Sequence, residues 1–512
     1  MATNNPFTTR QVCNYFYKVI TDAQDEPTPY FRCQCSVVRK QAPKTGYSNL
    51  FDHVLKRHPD FVVTMMASGT NTATLVSFIY QKSQTVFCWL DWVTTCNLPF
   101  SWCEDPSVLK YTNLERISTE TLLKYAGLVV RQVEIDIGLA LPVKFGIMFD
   151  GWTFQSEHYL AVFAVFQHDG RADKVLLAFA PLIDDDVTDH TSASHVKFLE
   201  GILPFYNRKI EDVIYLVGDN CAVNTKLANL LAVPLVGCAS HRLNLAVQKF
   251  MANHDSLLNK LQDLMRKLRN LNHSAKLRKS TSLRPVLRQS TRWDSTYKML
   301  KRFFAIKDFI DTSDDELAEL MPTRHEENKL VALQDDLREF KSASKKLQSD
   351  ENVTLLDVRD IFDALIERHP SVAEYLGAEA PIMKSTAFEN ACVQVLLGKE
   401  AELSAEQRGL LKDFAVPISG LSDSVAEGDD RAGFADRALR ARKKQRVAVQ
   451  VYRGVRFIPP TSNAVERLFS KARLVLSLHR HRILPIRLEM LLFLKVNKRF
   501  WGAATVSKVV NA

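Results

Sequence analysis

Three apolar runs of strand length follow one another in one short stretch: Val143 to Phe149, Tyr159 to Phe166 and Lys174 to Ala180. Short, continuous runs rich in Val, Phe and Ala read as strands buried on both faces. The last two are joined by "HDGRAD", whose Asp-Gly step is turn chemistry, so the three predict an antiparallel meander. A helical segment from about Ser194 to Tyr206 leads into the apolar "VIYLVGDN". A helix from about Val223 to Leu231 then separates it from "LVGC", a fifth strand. A meander followed by strands reached through crossover helices constrains the chain to a mixed α/β sheet.

The flanks read differently. Thr72 to Leu139 repeats apolar residues at helical spacing through Leu122, Leu123, Ala126, Val129, Val130 and Val133, predicting a helical layer before the sheet. From His241 onward the pattern is helical, with Leu243, Val247, Phe250, Leu257, Leu261, Leu264, Leu268 and Leu271 tracing one apolar stripe. The stretches "DTSDDELAEL" and "SVAEGDDRAGFAD" mark loops, and a final helix pair spans Val465 to Leu476 and Pro485 to Lys498. Residues Arg10 to Asp60 form a small unit of their own, with Tyr15, Phe16 and Tyr17, the pair Cys33 and Cys35, and His53 and His58.

At 512 residues the chain has room for several cores. No run is long and apolar enough to cross a bilayer, and the first thirty residues lack a signal peptide's basic start and apolar middle. An intracellular protein with no membrane association is expected. Nine scattered cysteines make no disulfide framework, and in a reducing compartment a close pair reads as metal-binding. The net charge of +9 is unevenly spread. One basic run holds Arg266, Lys267, Arg269, Lys276, Arg278, Lys279, Arg284, Arg288 and Arg292; another holds Arg440, Arg442, Lys443, Lys444 and Arg446. Such runs suit a phosphate backbone, although a solvated helix face is the commoner meaning of any one of them.

Asp150 and Asp219 each follow an apolar strand, and neighbouring strand ends are where open α/β sheets bind ligands. Two carboxylates there repel one another unless a divalent cation such as Mg²⁺ neutralises them. Each is also a residue type that caps local N–H groups in turns; the matching strand-end positions favour the metal. A third acid, Glu466, stands near the start of an amphipathic helix in "PPTSNAVERLFSKARL". Asn463 and Glu466 have capping-box spacing as well, so spacing alone leaves both roles open. Cys33, Cys35, His53 and His58 supply a Cys₂His₂ set for Zn²⁺.

"FDGWT", "VGDNCAVN", "GCASHRLNL", "TRWDS" and "PPTSNAVERLFSKA" occur in the order seen in the hAT superfamily of cut-and-paste DNA transposases. The chain resembles that family from about Tyr111 to Trp501. The resemblance implies an RNase H-like mixed sheet interrupted by a large all-α insertion, with Asp150, Asp219 and Glu466 as a triad holding Mg²⁺ or Mn²⁺. Strand cleavage and transfer need the attacking and leaving oxygens held together, which two metals about 3.5–4 Å apart can do. Trp152 matches the family's Asp-x-Trp pattern, and Cys238 and His241 its Cys-x-x-His motif, read as neighbours that position DNA. Arg292 and Trp293 match its Arg-Trp pair, the Trp implied to stack on a displaced base; a buried Trp in a helical bundle is the alternative.

The N-terminal unit resembles the BED-type zinc finger, with Lys40, Lys44, Lys56 and Arg57 implied to face DNA phosphates. It departs from that family in two ways: its cysteines are one residue apart instead of two, and Cys13 stands where Trp is usual. "RILPIRLEMLLFLKVNKRFW" resembles the hAT dimerisation segment, whose apolar density also suits an internal core. The aromatic-rich segment that many relatives carry before the final glutamate is missing. The expected organisation is a finger over 1–66, a helical DNA-binding or linking region over 67–140, the first part of the core over 141–250, the insertion over 251–450, and the closing helix with the dimerisation region over 451–505. A nuclear, homo-oligomeric protein acting on double-stranded DNA follows from the resemblance. Its rivals are an inactive or domesticated descendant that binds DNA and dimerises, and a nuclease unrelated to transposition.

Overall fold

The computed structural model describes residues 7–21, 27–41, 46–67, 81–182, 190–289, 292–349, 353–415, 452–476 and 483–511. Lys44, the basic run Arg440 to Arg446 and "SVAEGDDRAGFAD" lie outside the described residues. The chain divides into two compact units, residues 1–133 with 497–512, and residues 134–496.

In the first unit, α1 (Thr9–Phe16) opens on a capping box in which the Thr8 side chain and Gln11 satisfy each other's backbone. Three short antiparallel strands follow, β1 (Tyr17–Thr21), β2 (Pro27–Cys33) and β3 (Val38–Lys40), and then α2 (Ser48–Arg57) and α3 (Phe61–Ala67). Val12, Cys13, Phe16, Leu50, Val54 and Phe61 close a small core. The expected helical layer is α4 (Gln81–Cys96), α5 (Pro106–Tyr111) and the long α6 (Thr119–Ala140), where Leu122, Ala126, Val129 and Val133 are fully buried.

The second unit is built on a five-stranded sheet: β4 (Phe145–Phe154), β5 (Glu157–His168), β6 (Arg171–Pro181), β7 (Val213–Gly218) and β8 (Leu235–Gly237). Their order is β6-β5-β4-β7-β8, antiparallel through the meander and parallel from β4 to β7 to β8. The crossovers are α7 (Ser192–Ile202) and α8 (Ala222–Leu231). This is the expected mixed sheet, with one correction. β4 does not stop at Phe149: Asp150 pairs with Ala161 and Trp152 with Tyr159, so the strand runs on to Phe154. Its first five residues are buried, and the exposure alternates from Asp150 onward. Gly146 is dictated by β7, because a Cβ there would lie 2.1 Å from the Tyr215 ring.

The remainder is helical: α9 (Ala239–Met251), α10 (Asp255–Lys267), α11 (Leu271–Ser280), α12 (Asp294–Ile306), α13 (Asp315–Leu320), α14 (Arg324–Leu347), α15 (Leu355–Arg368), α16 (Ala373–Leu376), α17 (Thr386–Leu396) and α18 (Ala405–Leu410). Thr323 with Glu326 and Thr354 with Asp357 form capping boxes that start α14 and α15. One hydrophobic core runs from Ala239 to Leu376. The single stripe expected from Leu243 to Leu271 is two helix faces, broken at Ala252–His254, and Leu271 is 87% exposed because the chain turns before α11. Two more helices, α19 (Asn463–Val475) and α20 (Pro485–Val496), return to the sheet, α19 against β4 and β5 and α20 against β6. Leu488, Leu491, Leu492, Phe493 and Leu494 of α20 are buried, which places most of the C-terminal apolar density in this chain's own core.

Candidate functional site

The strand register brings the two aspartates together. Met148 of β4 lies beside Val217 of β7, and two residues further along each chain come Asp150 and Asp219. Asp150 shares a strand face with Met148, and Asp219 stands one residue past the end of β7, near enough for its charge to act on the Asp150 carboxyl. Asn224, in the first turn of α8, donates to the Asp219 carbonyl at 2.9 Å and fixes the turn after β7. Glu466 comes from the first turn of α19, against the same strands.

Asp150 is strongly perturbed. Burial, and then the charge of Asp219, push its carboxyl up to about 7; Glu466 adds to the rise, while a hydrogen bond from the Gly151 N–H and the charge of His241 oppose it. Asp219 Oδ2 lies 3.0 Å from His241 Nδ1. That hydrogen bond raises the imidazole pKa against the opposing effect of burial. Glu466 Oε2 receives a hydrogen bond from Arg292 Nη2 at 3.3 Å. The capping alternative for Glu466 is not what forms: Ser462 is the N-cap, without a side-chain cap, and Asn463 donates to the Leu347 carbonyl at 2.9 Å.

The electrostatic coupling shows three acids within reach of one another's charge, but not a closed ligand set. Their oxygens do not all fall within 4.8 Å, as those of a tight ligand group do. The donor chemistry, all carboxylate oxygen, fits a hard cation such as Mg²⁺ or Mn²⁺. An Asp pushed up to about 7 by burial and then by its neighbours' charge is what a half-buried, unneutralised acidic cluster produces.

The other expected site residues divide. Cys238 is fully buried; its thiol is pushed up to about 12 by burial, and its Sγ accepts from the Ser462 N–H at 3.4 Å. Ala239 N–H donates to the Pro460 carbonyl at 2.9 Å. Cys238 thus ties the start of α9 to the segment leading into α19, while His241 faces the acids. Trp152 stacks on Phe469 at 5.7 Å between centroids and lies near Phe154, Tyr159 and Phe179, which is packing of the sheet against α19. Trp293 is 4% exposed in the helical core, the bundle-packing position, whereas Arg292 is exposed and meets Glu466.

Two residues went unnoticed in the sequence. Arg242 is buried and donates to the carbonyls of Tyr375, Leu376 and Gly377. Glu389, also buried, accepts from the Gly237 N–H at 3.2 Å and lies 3.9 Å from Arg242. Together they hold the β8–α9 junction from which His241 projects. The signal that could have found Glu389 is a lone acid inside the apolar α17 sequence. Asn220, next to Asp219, lies over Gly237, and neither amide atom has a partner among the described residues.

The N-terminal unit carries a separate centre. Cys33, Cys35, His53 and His58 bring one ligand atom each within 4.8 Å of all the others. Cys33 Sγ is 3.4 Å from His58 Nε2, and Cys35 Sγ is 3.2 Å from His53 Nε2. A tetrahedral zinc with ordinary Zn–S and Zn–N bonds spaces its ligands by about 3.5 Å, so this Cys₂His₂ group has the geometry to bind Zn²⁺. The one-residue Cys spacing is accommodated by a tight turn: Ser36 N–H donates to the Cys33 carbonyl, and Ser36 takes φ +68°. Lys40, Lys56 and Arg57 are exposed on this unit.

The first basic run is partly neutralised in place. Arg266 pairs with Asp263, Lys267 with Glu316, Lys276 with Asp311 and Arg288 with Asp255. Arg269, Arg278, Lys279 and Arg284 are exposed and form no ion pair among the described residues.

Residues 236–335 match the family model described as the ZBED1 RNase-like helical domain. The match begins in β8, reaches into α14, and includes Cys238, His241, Arg292 and Trp293. No curated protein matches the chain. With the N-terminal Cys₂His₂ group, the matched segment points to a transposase-like chain of hAT derivation.

Proposed function

We propose that the protein is a hAT-type DNA transposase whose acids Asp150, Asp219 and Glu466 act as one Mg²⁺- or Mn²⁺-dependent site for DNA strand cleavage and transfer. The observation that carries this reading is the approach of Asp219 and Glu466 to Asp150 of β4, whose carboxyl responds to the charge of both others. The strand order, a meander followed by two parallel strands, supports an RNase H-like core, and the helical segment between α9 and α18 supports the interrupting insertion. Bound divalent cations would activate the attacking oxygen and stabilise the leaving one. The chain's part is to hold the acids: Asp150 by its place in a paired strand, Asp219 by Asn224 and His241, Glu466 by a packed helix. The finger, with Zn²⁺, and the exposed arginines and lysines of the first basic run would engage the DNA backbone. Nuclear location and self-association through the C-terminal region, where Leu474, Leu484 and Ile486 are exposed, complete the proposal.

The test is incubation of the purified chain with candidate element-end DNA and Mg²⁺ or Mn²⁺, beside Asp150→Asn, Asp219→Asn and Glu466→Gln. Each substitution is expected to abolish cleavage while leaving folding and DNA binding intact. Undiminished cutting by any one removes that residue from the triad. Specific binding without cleavage by any of the proteins makes the chain a DNA-binding descendant that no longer cuts.

A further inference from the structure

We propose that Arg292 is a latch on the acidic site: without DNA its guanidinium holds Glu466, and a DNA phosphate draws it away, releasing the third carboxylate to the divalent cation. This rests on the reading of the three acids as a metal site. The contact is Arg292 Nη2 to Glu466 Oε2 at 3.3 Å, with side chains 70% and 40% exposed. An ion pair so open to solvent is weak and easily exchanged. A guanidinium pairs with phosphate as well as with carboxylate, presenting paired N–H donors to either, so a DNA phosphate can take the place of Glu466.

The surroundings fix the backbone of Arg292 and, among the described residues, leave its side chain one acidic partner. Trp293, the next residue, is anchored in the helical core. Ser295 Oγ accepts from the Gln289 N–H at 2.7 Å and reaches the Arg292 carbonyl at 2.7 Å, closing a turn around the arginine. Asp294, the nearest acid in sequence, is already held by Lys298 at 2.7 Å and Lys341 at 2.6 Å. Asp219 is engaged by His241, so Glu466 is the acid that Arg292 meets. Arg467, the residue after Glu466, donates to the Gln348 carbonyl at 3.2 Å. The three acids are accordingly not gathered as a closed ligand set, and the most exposed of the contacts that keep them apart is the one a DNA strand would reach first.

The experiment is Mn²⁺ binding to the full, zinc-loaded chain without DNA, by isothermal titration calorimetry, in the wild type, Arg292→Ala, Arg292→Lys, Glu466→Gln and the Arg292→Ala/Glu466→Gln double variant. Arg292→Ala should tighten Mn²⁺ roughly two- to fivefold. Arg292→Lys should stay near wild type, and the double variant should lose the gain. If Arg292→Ala leaves Mn²⁺ affinity unchanged while Glu466→Gln weakens it, the latch is wrong and the metal site stands. If Glu466→Gln changes nothing in either background, the metal site itself fails and the latch with it.

Discussion

Asp150 shows how much of the site one side chain reports. A carboxyl raised from the usual 3.8 to about 7 binds its proton more tightly in the folded chain. Its favourable contribution is full below the unfolded pKa, near 4, and is lost as pH rises through about 7. Asp150→Asn should therefore stabilise the protein at alkaline pH by about 1–3 kcal/mol, with the difference fading in acid. Thermal unfolding without added divalent metal checks this, and an unchanged midpoint above neutral pH would show that Asp150 carries no such strain. At the finger, Cys35→Ser or His53→Ala should remove bound zinc and make residues 7–67 readily cleaved by protease, since the small core closes around the ligands. Zinc content by atomic absorption, with limited proteolysis, reads both. The residue types of both centres were legible because Cys, His and isolated acids after apolar runs stand out. The Arg292–Glu466 and Arg242–Glu389 pairs were not, because each joins elements that only tertiary packing brings together.

At the scale of the element, β4 determines most of the geometry. Its register with β7 aligns the aspartates, and Gly146 lets the Tyr215 ring cross it. Gly146→Ala should cost about 1–3 kcal/mol, because the new methyl overlaps that ring; chemical denaturation measures it, and a loss near zero would mean that β7 shifts freely. α20 gives a second, pH-dependent test. Burial pushes the Glu489 carboxyl up to about 7, opposed by a hydrogen bond from the Phe179 backbone and helped by the charge of Glu134. Its stabilising contribution is present below the unfolded pKa of about 4.3 and lost towards pH 7, so Glu489→Gln should flatten the fall in stability across that window. The same loss of stability in wild type and variant would exclude Glu489 as its source. The meander was legible because continuous apolar runs and an Asp-Gly turn leave few alternatives. The end of β4 was misread because the strand's exposure pattern changes at Asp150 while its pairing does not. The Glu466 helix start was open for a related reason: Asn463 and Glu466 fit a capping box by spacing, but the fold uses Asn463 to hold Leu347.

The whole molecule combines a Cys₂His₂ unit, a mixed sheet carrying three acids and a helical segment matched to the ZBED1 RNase-like helical domain. The helical segment supplies both the buried Trp293 and the exposed Arg292, so one short motif anchors in the core and reaches the acids. The central claim is that Asp150, Asp219 and Glu466 serve one divalent cation site. Anomalous scattering from crystals of the full chain bound to a DNA duplex, grown with Mn²⁺, addresses it directly, with zinc at the finger as the internal reference. Manganese density among the three carboxylates is the predicted result. Zinc density at Cys33, Cys35, His53 and His58 with no manganese at the acids would contradict the claim.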